Sequence, residues 1–167
     1  MATVWFIGDI HAGHKNICKF RTQFTSEEEH YEFIKENYHK VVTKRDKVFF
    51  MGDIAFTKER LDDISKWTAD QKVLIVGNHC LDSLTMKDVV NAYDSVYGLL
   101  KWKEFWLSHC PLHPNELRGK TNIHGHVHYS TLDDNRYFNT SLENINYTPI
   151  NIEDIRKKIY YVDKNLD

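Results

Sequence analysis

Five short polar clusters, the first four placed directly after hydrophobic runs, limit the folds open to this chain. They are residues 8–11, 52–53, 77–79, His109 and residues 125–128. The first four close apolar runs of the kind that form buried strands, and the fifth ends a shorter, more polar run. In an α/β sheet the loops after the carboxyl ends of the strands meet at one edge, where ligands bind. The sequence therefore predicts one shared site assembled from most of the chain.

The predicted elements begin as alternating strand and helix and then become rich in strands. This order favours a layered α/β fold over an all-α or all-β fold, and 167 residues fit one domain over residues 1–167. Thr25 with Glu28, or Ser26 with Glu29, offers a helix-capping box, and Asn151 offers a second cap. We expect helices at residues 25–42, 58–67, 86–93 and 152–159, and strands at residues 3–8, 47–51, 72–76, 95–100, 104–108, 121–124 and 136–140, with 95–100 and 104–108 forming a hairpin.

The clusters contain the residue types that bind divalent metals. Asp9 and His11 are two positions apart at a strand end and can chelate one ion, while the Asp53 carboxylate can bridge two ions. This set is sufficient for a two-metal site, which lowers the pKa of a bound water and stabilises the attacking and leaving oxygens of phosphoryl transfer. The remaining candidate ligands are Asn78, His109, His126 and His128.

Composition excludes several other classes of protein. The formal net charge of −2 argues against a broad basic surface, so extended nucleic acid is not the expected partner. The first residues lack a basic leader, and no apolar stretch approaches the roughly 20 residues that cross a bilayer. The three cysteines form no CxxC pair, which indicates a reducing, cytoplasmic compartment.

Nucleophiles other than metal-activated water find no support in the sequence. None of the three cysteines is followed by arginine at the spacing of a Cys-x5-Arg phosphate loop, because the positions reached are Phe24, Met86 and Glu116. No Gly-x4-Gly-Lys-[Ser/Thr] loop is present either, which disfavours ATP-dependent transfer.

Several residues near the clusters admit two interpretations. His14 is a candidate contact for a substrate phosphate or a loop hydrogen-bonding group. Arg21 is a second candidate phosphate contact, since a guanidinium matches phosphate geometry, but a surface position is the preferred interpretation. His113 is expected at a loop rim and His124 packed in the interior. His30 and His39 lie in a predicted helix and are expected at the surface.

In their order along the chain, the clusters resemble the pattern of the calcineurin-like metallophosphoesterase superfamily. They read Asp9-Ile10-His11, Gly52-Asp53, Gly77-Asn78-His79, His109 and Gly125-His126-Val127-His128, and this resemblance spans residues 8–128. Residues 13–17 and 139–144 are similar to a small bacterial and phage subgroup and extend the resemblance to about residue 150.

The resemblance implies a four-layer α/β sandwich of two mixed β-sheets flanked by helices. It also implies two divalent metal ions that share Asp53, with manganese preferred and iron, zinc, nickel or cobalt as alternatives. His79 would bind no metal and would stand beside the scissile phosphate. One ion would be held by Asp9, His11, Asp53 and His128, and the other by Asp53, Asn78, His109 and His126.

The activity implied is hydrolysis of a phosphomonoester or phosphodiester by a hydroxide that bridges the two metals, with Asp53 and His79 as the catalytic residues. The expected substrate is a small phosphorylated molecule, with nucleotides among the candidates. A short chain leaves few insertions to cover the site, which predicts an open cleft.

The chain departs from the family pattern at Cys80, where an acidic residue commonly follows Gly-Asn-His. A carboxylate there would orient or charge the neighbouring histidine. This departure leaves open a metal-binding interaction module of the same fold with weakened catalysis. A separate alternative is a nuclease that applies the same chemistry to a polymer, which the slight negative charge and short length disfavour.

Overall fold

The structure is a computed structural model and describes residues 1–160. Its elements, in chain order, are β1 (Val4–Ile7), α1 (Ile17–Phe20), α2 (Glu27–Val41), β2 (Lys47–Phe50), α3 (Lys58–Ser65), β3 (Gln71–Ile75), α4 (Met86–Ala92), β4 (Ser95–Tyr97), β5 (Leu99–Trp102), β6 (Phe105–Ser108), β7 (Thr121–His124), β8 (Tyr137–Asn139), β9 (Ile150–Asn151) and α5 (Ile152–Tyr160). None of the helices in this part of the chain has the length and apolar character needed to span a membrane.

The strands form two mixed sheets. The first has the order β4-β3-β2-β1-β9, in which only the β1–β9 pair is antiparallel. The second has the order β5-β6-β7-β8, in which only the β5–β6 pair is antiparallel. With helices flanking the sheets, the predicted α/β architecture of two mixed sheets is confirmed.

Alternation along the strands of the first sheet divides the apolar side chains between two cores. Phe6 and Phe49 pack towards the second sheet, where they meet Phe105 and Leu107. Their neighbours along the strands pack instead against the helices α2, α3 and α4, forming a cluster that includes Ile7, Phe50, Ile34, Tyr38, Leu61 and Val89. Because successive side chains of a strand point to opposite faces, a sheet buried on both sides appears in sequence as a continuous apolar run.

Local signals define most element boundaries. Ser26 caps α2 by accepting a hydrogen bond from the Glu29 amide at 3.1 Å, and Asn151 caps α5 by accepting one from the Asp154 amide at 2.9 Å. Both helix starts therefore agree with the sequence prediction to within two residues. Side-chain acceptors at these positions satisfy amides that the first helical turn leaves unpaired.

Two predictions about this framework are wrong. The strand predicted at residues 95–100 is two strands in different sheets, since β4 pairs with β3 and β5 pairs with β6 on either side of Gly98. The hairpin is therefore β5–β6. His30, predicted at the surface, is fully buried, and its Nε2 lies 2.8 Å from Nη1 of Arg21.

Candidate metal centre

The predicted ligands gather at one edge of the molecule because both sheets contribute parallel strands that end there. Asp9 follows β1, Asp53 follows β2 and Asn78 follows β3. From the second sheet, His109 follows β6, and His126 and His128 follow β7. The two sheets are joined at this edge by the Gly8–Ser141 bridge.

The centre is built around two buried carboxylates. Asp9 and Asp53 are 0% and 2% exposed, and one donor atom from each lies within 4.8 Å of the other and of a His109 nitrogen. His109 Nε2 is 3.1 Å from Asp53 Oδ2 and 3.0 Å from Asn78 Oδ1. A second group of three, equally compact, comprises Asp9, His11 and His128. The two groups share Asp9, so the ligand positions form one continuous centre.

The charges within the centre are coupled. Burial alone would raise the pKa of Asp53, but the hydrogen bond and charge of His109 outweigh burial and lower that pKa. Asp53 in turn raises the pKa of His109 against the opposing effect of burial. A buried carboxylate is therefore kept ionised, which is the form that binds metal.

Two buried polar atoms indicate where a cation fits. Asp9 Oδ1 and His11 Nε2 have no hydrogen-bond partner in the described residues. They are 3.8 Å apart, too far for a mutual hydrogen bond. Buried polar atoms are rarely left unpaired, and an ion is one of the standard explanations. Oxygen and imidazole nitrogen donors at this point suit a divalent metal.

Most of the predicted ligands lie on strained backbone. The left-handed region is uncommon for residues other than glycine, and such residues concentrate at functional sites. Hydrogen bonds hold this backbone in place: the His11 amide donates to Asp53 O at 2.9 Å, and the His126 amide donates to Asp9 Oδ2 at 2.9 Å. The ligand residues with positive φ are Asp9, His11, Asp53, His126 and His128, with φ between 48° and 72°.

Two glycines of the clusters are required by close packing. A Cβ at Gly52, whose φ is +94°, would overlap the His109 ring, and a Cβ at Gly125 would overlap the Asp9 carboxylate. The glycines of the sequence pattern therefore give the ligand side chains the space they occupy.

A second layer of residues orients the ligands. His109 Nδ1 is 2.8 Å from Met51 O, which directs Nε2 towards the carboxylates. Glu143 Oε1 is 3.2 Å from His128 Nδ1 and accepts a hydrogen bond from Arg21 Nε at 2.9 Å. Partners of this kind fix the ring orientation of metal-binding histidines. Burial alone would raise the pKa of Glu143, but His128 and Arg21 lower it to about 2.

Arg21 is not the surface residue that the sequence suggested. It is 1% exposed, and besides Glu143 it donates hydrogen bonds to Asp9 O at 2.6 Å and to Ile10 O at 3.1 Å. Its guanidinium therefore braces the loop after β1. Because Arg21 also lines the cleft beside the centre, its role as a substrate contact stays a prediction. Glu143 was missed as a functional candidate, although it lies in the segment 139–144 that carries part of the resemblance.

His79 has a carboxylate partner despite the departure at Cys80. Its Nδ1 is 2.6 Å from Asp82 Oδ2, and its amide donates to Asp53 Oδ1 at 2.8 Å. Cys80 is buried, and its Sγ accepts a hydrogen bond from the Gly77 amide at 3.2 Å. The family pattern has a carboxylate one residue after this histidine, where the chain has Cys80. Asp82, three residues after His79, supplies a carboxylate partner instead.

Cys110 is a further residue that sequence analysis missed. Its Sγ and one ring nitrogen from each of His109 and His126 lie within 4.8 Å of one another, and its side chain is exposed. The available signal was its position directly after a predicted ligand. A thiol is a softer donor than an imidazole or a carboxylate.

Three of the other histidines have the burial that the sequence predicted. His124 is buried and His113 is exposed at a loop, as expected. His39 is exposed, also as expected. His14 lines a cleft beside the centre together with His11, His79 and His128, so its role as a substrate contact stays a prediction.

This fold and the cluster of candidate ligands point to the metallophosphoesterase class, and comparison with known proteins identifies the family. The model of the calcineurin-like phosphoesterase family matches residues 2–164, so the chain belongs to that family.

Two relatives and one solved structure are similar to this chain. An uncharacterized protein of Methanocaldococcus jannaschii is 30% identical over an alignment covering 95% of this chain and 92% of its own length. The Gene 66 protein of Mycobacterium phage L5 is 30% identical over 77% of this chain and 78% of its own length. The crystal structure of AQ665, a protein of unknown function from Aquifex aeolicus, is similar with a TM-score of 0.72 and 25% identity, covering 94% of this chain and 99% of that one.

Proposed function

We propose that the protein is a dinuclear metal-dependent phosphoesterase that hydrolyses small phosphomonoesters or phosphodiesters. The observation that carries this proposal is the pair of compact donor groups that share the buried carboxylate of Asp9 and include Asp53. We assign one ion to Asp9, His11, Asp53 and His128, and the other to Asp53, Asn78, His109 and His126.

Two divalent ions at these positions would lower the pKa of a bound water and neutralise charge on the phosphate. The protein itself supplies alignment and a proton. His79 has a side chain that is 44% exposed and lies at the mouth of the cleft, with Asp82 against its Nδ1. This leaves Nε2 to face the substrate, where it can donate a proton to the leaving oxygen.

Manganese is our proposed metal and the cytoplasm our proposed compartment. Carboxylate, amide and imidazole donors accept manganese readily. Cys18, Cys80 and Cys110 are all free thiols, which is consistent with a reducing compartment.

We expect His79→Asn to lower kcat for an aryl phosphate ester by about 100-fold or more, the usual contribution of a general acid, while both metals remain bound. Asp82→Asn should lower kcat by roughly 10-fold, because it removes the group that orients His79. Steady-state kinetics together with metal analysis of the purified variants measure both effects.

The exposed Asp133→Asn variant is the control and should behave as wild type. Unchanged kcat in His79→Asn would remove this residue from the mechanism. If both metals are bound but no ester and no single- or double-stranded nucleic acid is hydrolysed, the interaction module is favoured instead. That alternative was motivated by the missing carboxylate at Cys80, and the Asp82 partner of His79 weakens this motivation. Preferential cleavage of the polymers would favour the nuclease.

Cys110 should influence which metal is bound. We expect Cys110→Ser to weaken zinc binding by on the order of 10-fold relative to manganese binding, because the variant loses the soft donor near His109 and His126. Competition with a chromophoric chelator measures both affinities. Cys18→Ser is the matched control, and an equal zinc-to-manganese ratio in the two variants would show that the thiol does not contact the metal.

A further inference from the structure

The cleft beside the metal centre carries two prominently exposed aromatic rings. Phe20 is 70% exposed and Tyr129 is 68% exposed, whereas core rings such as Phe6 and Phe49 are 0% exposed. Both exposed rings line the same cleft as His79 and His128. Exposed apolar side chains at the rim of a polar site commonly mark a binding surface.

The fold holds Phe20 in this exposed position. It is the last residue of α1, between Ile17, which is 4% exposed, and Arg21, which is 1% exposed. Because Ile17 and Arg21 are both anchored in the interior, the short helix presents Phe20 to the cleft. Tyr129 directly follows the candidate ligand His128.

A wall of rings connects Phe20 to the reaction centre. Its ring centroid is 6.1 Å from that of His14, which is 5.1 Å from that of Phe56. Phe56 is in turn 5.6 Å from His79, the proposed proton donor. These ring contacts therefore link Phe20 to His79.

Charge in the cleft favours an anionic ligand. Lys19 lines the cleft next to Phe20. Aromatic side chains can also stack on any nucleobase, because every base has a π-face. Together these features match a molecule that joins a phosphate to a planar ring.

We propose that the cleft binds the base of a nucleotide, with Phe20 and Tyr129 as the surfaces that contact the ring. This inference rests on the proposed function for the position of the phosphate, but ring binding itself requires no turnover. The substrate class is thus a nucleoside phosphate ester, whose base lies on the Phe20 and Tyr129 side of His79.

The test compares equilibrium binding of adenosine 5′-monophosphate and ribose 5-phosphate to the full chain by calorimetry. The first ligand should bind about 10-fold more tightly than the second, as expected for one stacked base. Phe20→Ala and Tyr129→Ala should each reduce that preference several-fold, and Tyr129→Phe should keep it. Tyr160→Ala is the control, because Tyr160 is an exposed aromatic on α5.

Equal or undetectable binding of the two phosphates by the wild-type chain overturns the proposal, and so does an unchanged preference in both alanine variants. Hydrolysis is measured separately on the same preparations. A base preference that depends on Phe20 and Tyr129, found without hydrolysis of any ester, would support the base site and count against the phosphoesterase.

Discussion

Replacing Asp53 by asparagine is expected to lower phosphoesterase turnover about 100- to 1000-fold, the equivalent of losing several kcal/mol of metal-supplied stabilisation. Asp53 is 2% exposed, its Oδ2 lies 3.1 Å from His109 Nε2, and its Oδ1 accepts the His79 amide. One residue thus connects both proposed ions to the proposed proton donor. The amide keeps the shape of the side chain but removes the charge that two cations would share.

Turnover of an aryl phosphate ester and metal content by mass spectrometry are the measurements for this variant. Asp62→Asn, an exposed position on α3, is the matched control and should match wild type in both. Added metal should raise the Tm of the wild-type chain and of Asp62→Asn, because a ligand that binds only the folded state stabilises it. Full turnover by Asp53→Asn with two metals bound would refute the bridging role.

The ligand cluster could be predicted from the sequence because its signals are local. Most of the candidate ligands follow a short apolar run, and parallel strands bring their carboxyl ends to one edge. Pairing of β1 with β2 brings Asp9 and Asp53 together, and the second sheet adds His109 to the same group. Their assignment as metal ligands stays a prediction for the experiments above.

The supporting residues could not be found in the same way. Arg21 and Glu143 are 122 positions apart, and neither ends a strand. An isolated arginine in a polar loop has the sequence signature of a surface residue, and only tertiary packing shows that it is buried. Asp82 is similar, because a carboxylate three residues from His79 is recognisable as its partner only once the loop geometry is known.

The strand at residues 95–100 was predicted wrongly for a different reason. Period-two alternation reports that a segment is extended and half-buried, but not which sheet it joins. Residues on both sides of Gly98 fit that pattern, so one predicted strand proved to be β4 and β5. The split helps to place the two sheets face to face, with the metal centre at their shared edge.

The largest loss of stability is expected from Arg21→Met, which should lower the free energy of unfolding by about 3–5 kcal/mol. In the native chain the side chains of Arg21 and Glu143 are 1% and 3% exposed and 2.9 Å apart. Removing the cation leaves a buried carboxylate whose remaining side-chain hydrogen-bond partner within residues 1–160 is His128. The carbonyls of Asp9 and Ile10 also lose their donor, so the loop that carries the first ligands should loosen as well.

Urea unfolding of the metal-free chain measures this loss, and Arg156→Ala is the control. Arg156 pairs with Glu104 at 2.7 Å, but the two side chains are 28% and 36% exposed, so its loss should cost only about 0–1 kcal/mol.

The pKa of Glu143 falls from 4.5 to about 2 on folding, so its contribution is complete above pH 4.5 and is lost as pH falls through about 2. The difference between wild type and Arg21→Met should therefore narrow across that acid range. If the free energies of unfolding of wild type and Arg21→Met differ by less than about 1 kcal/mol at neutral pH, the pair does not brace the centre. A buried charge left without its partner destabilises the folded state by more than that.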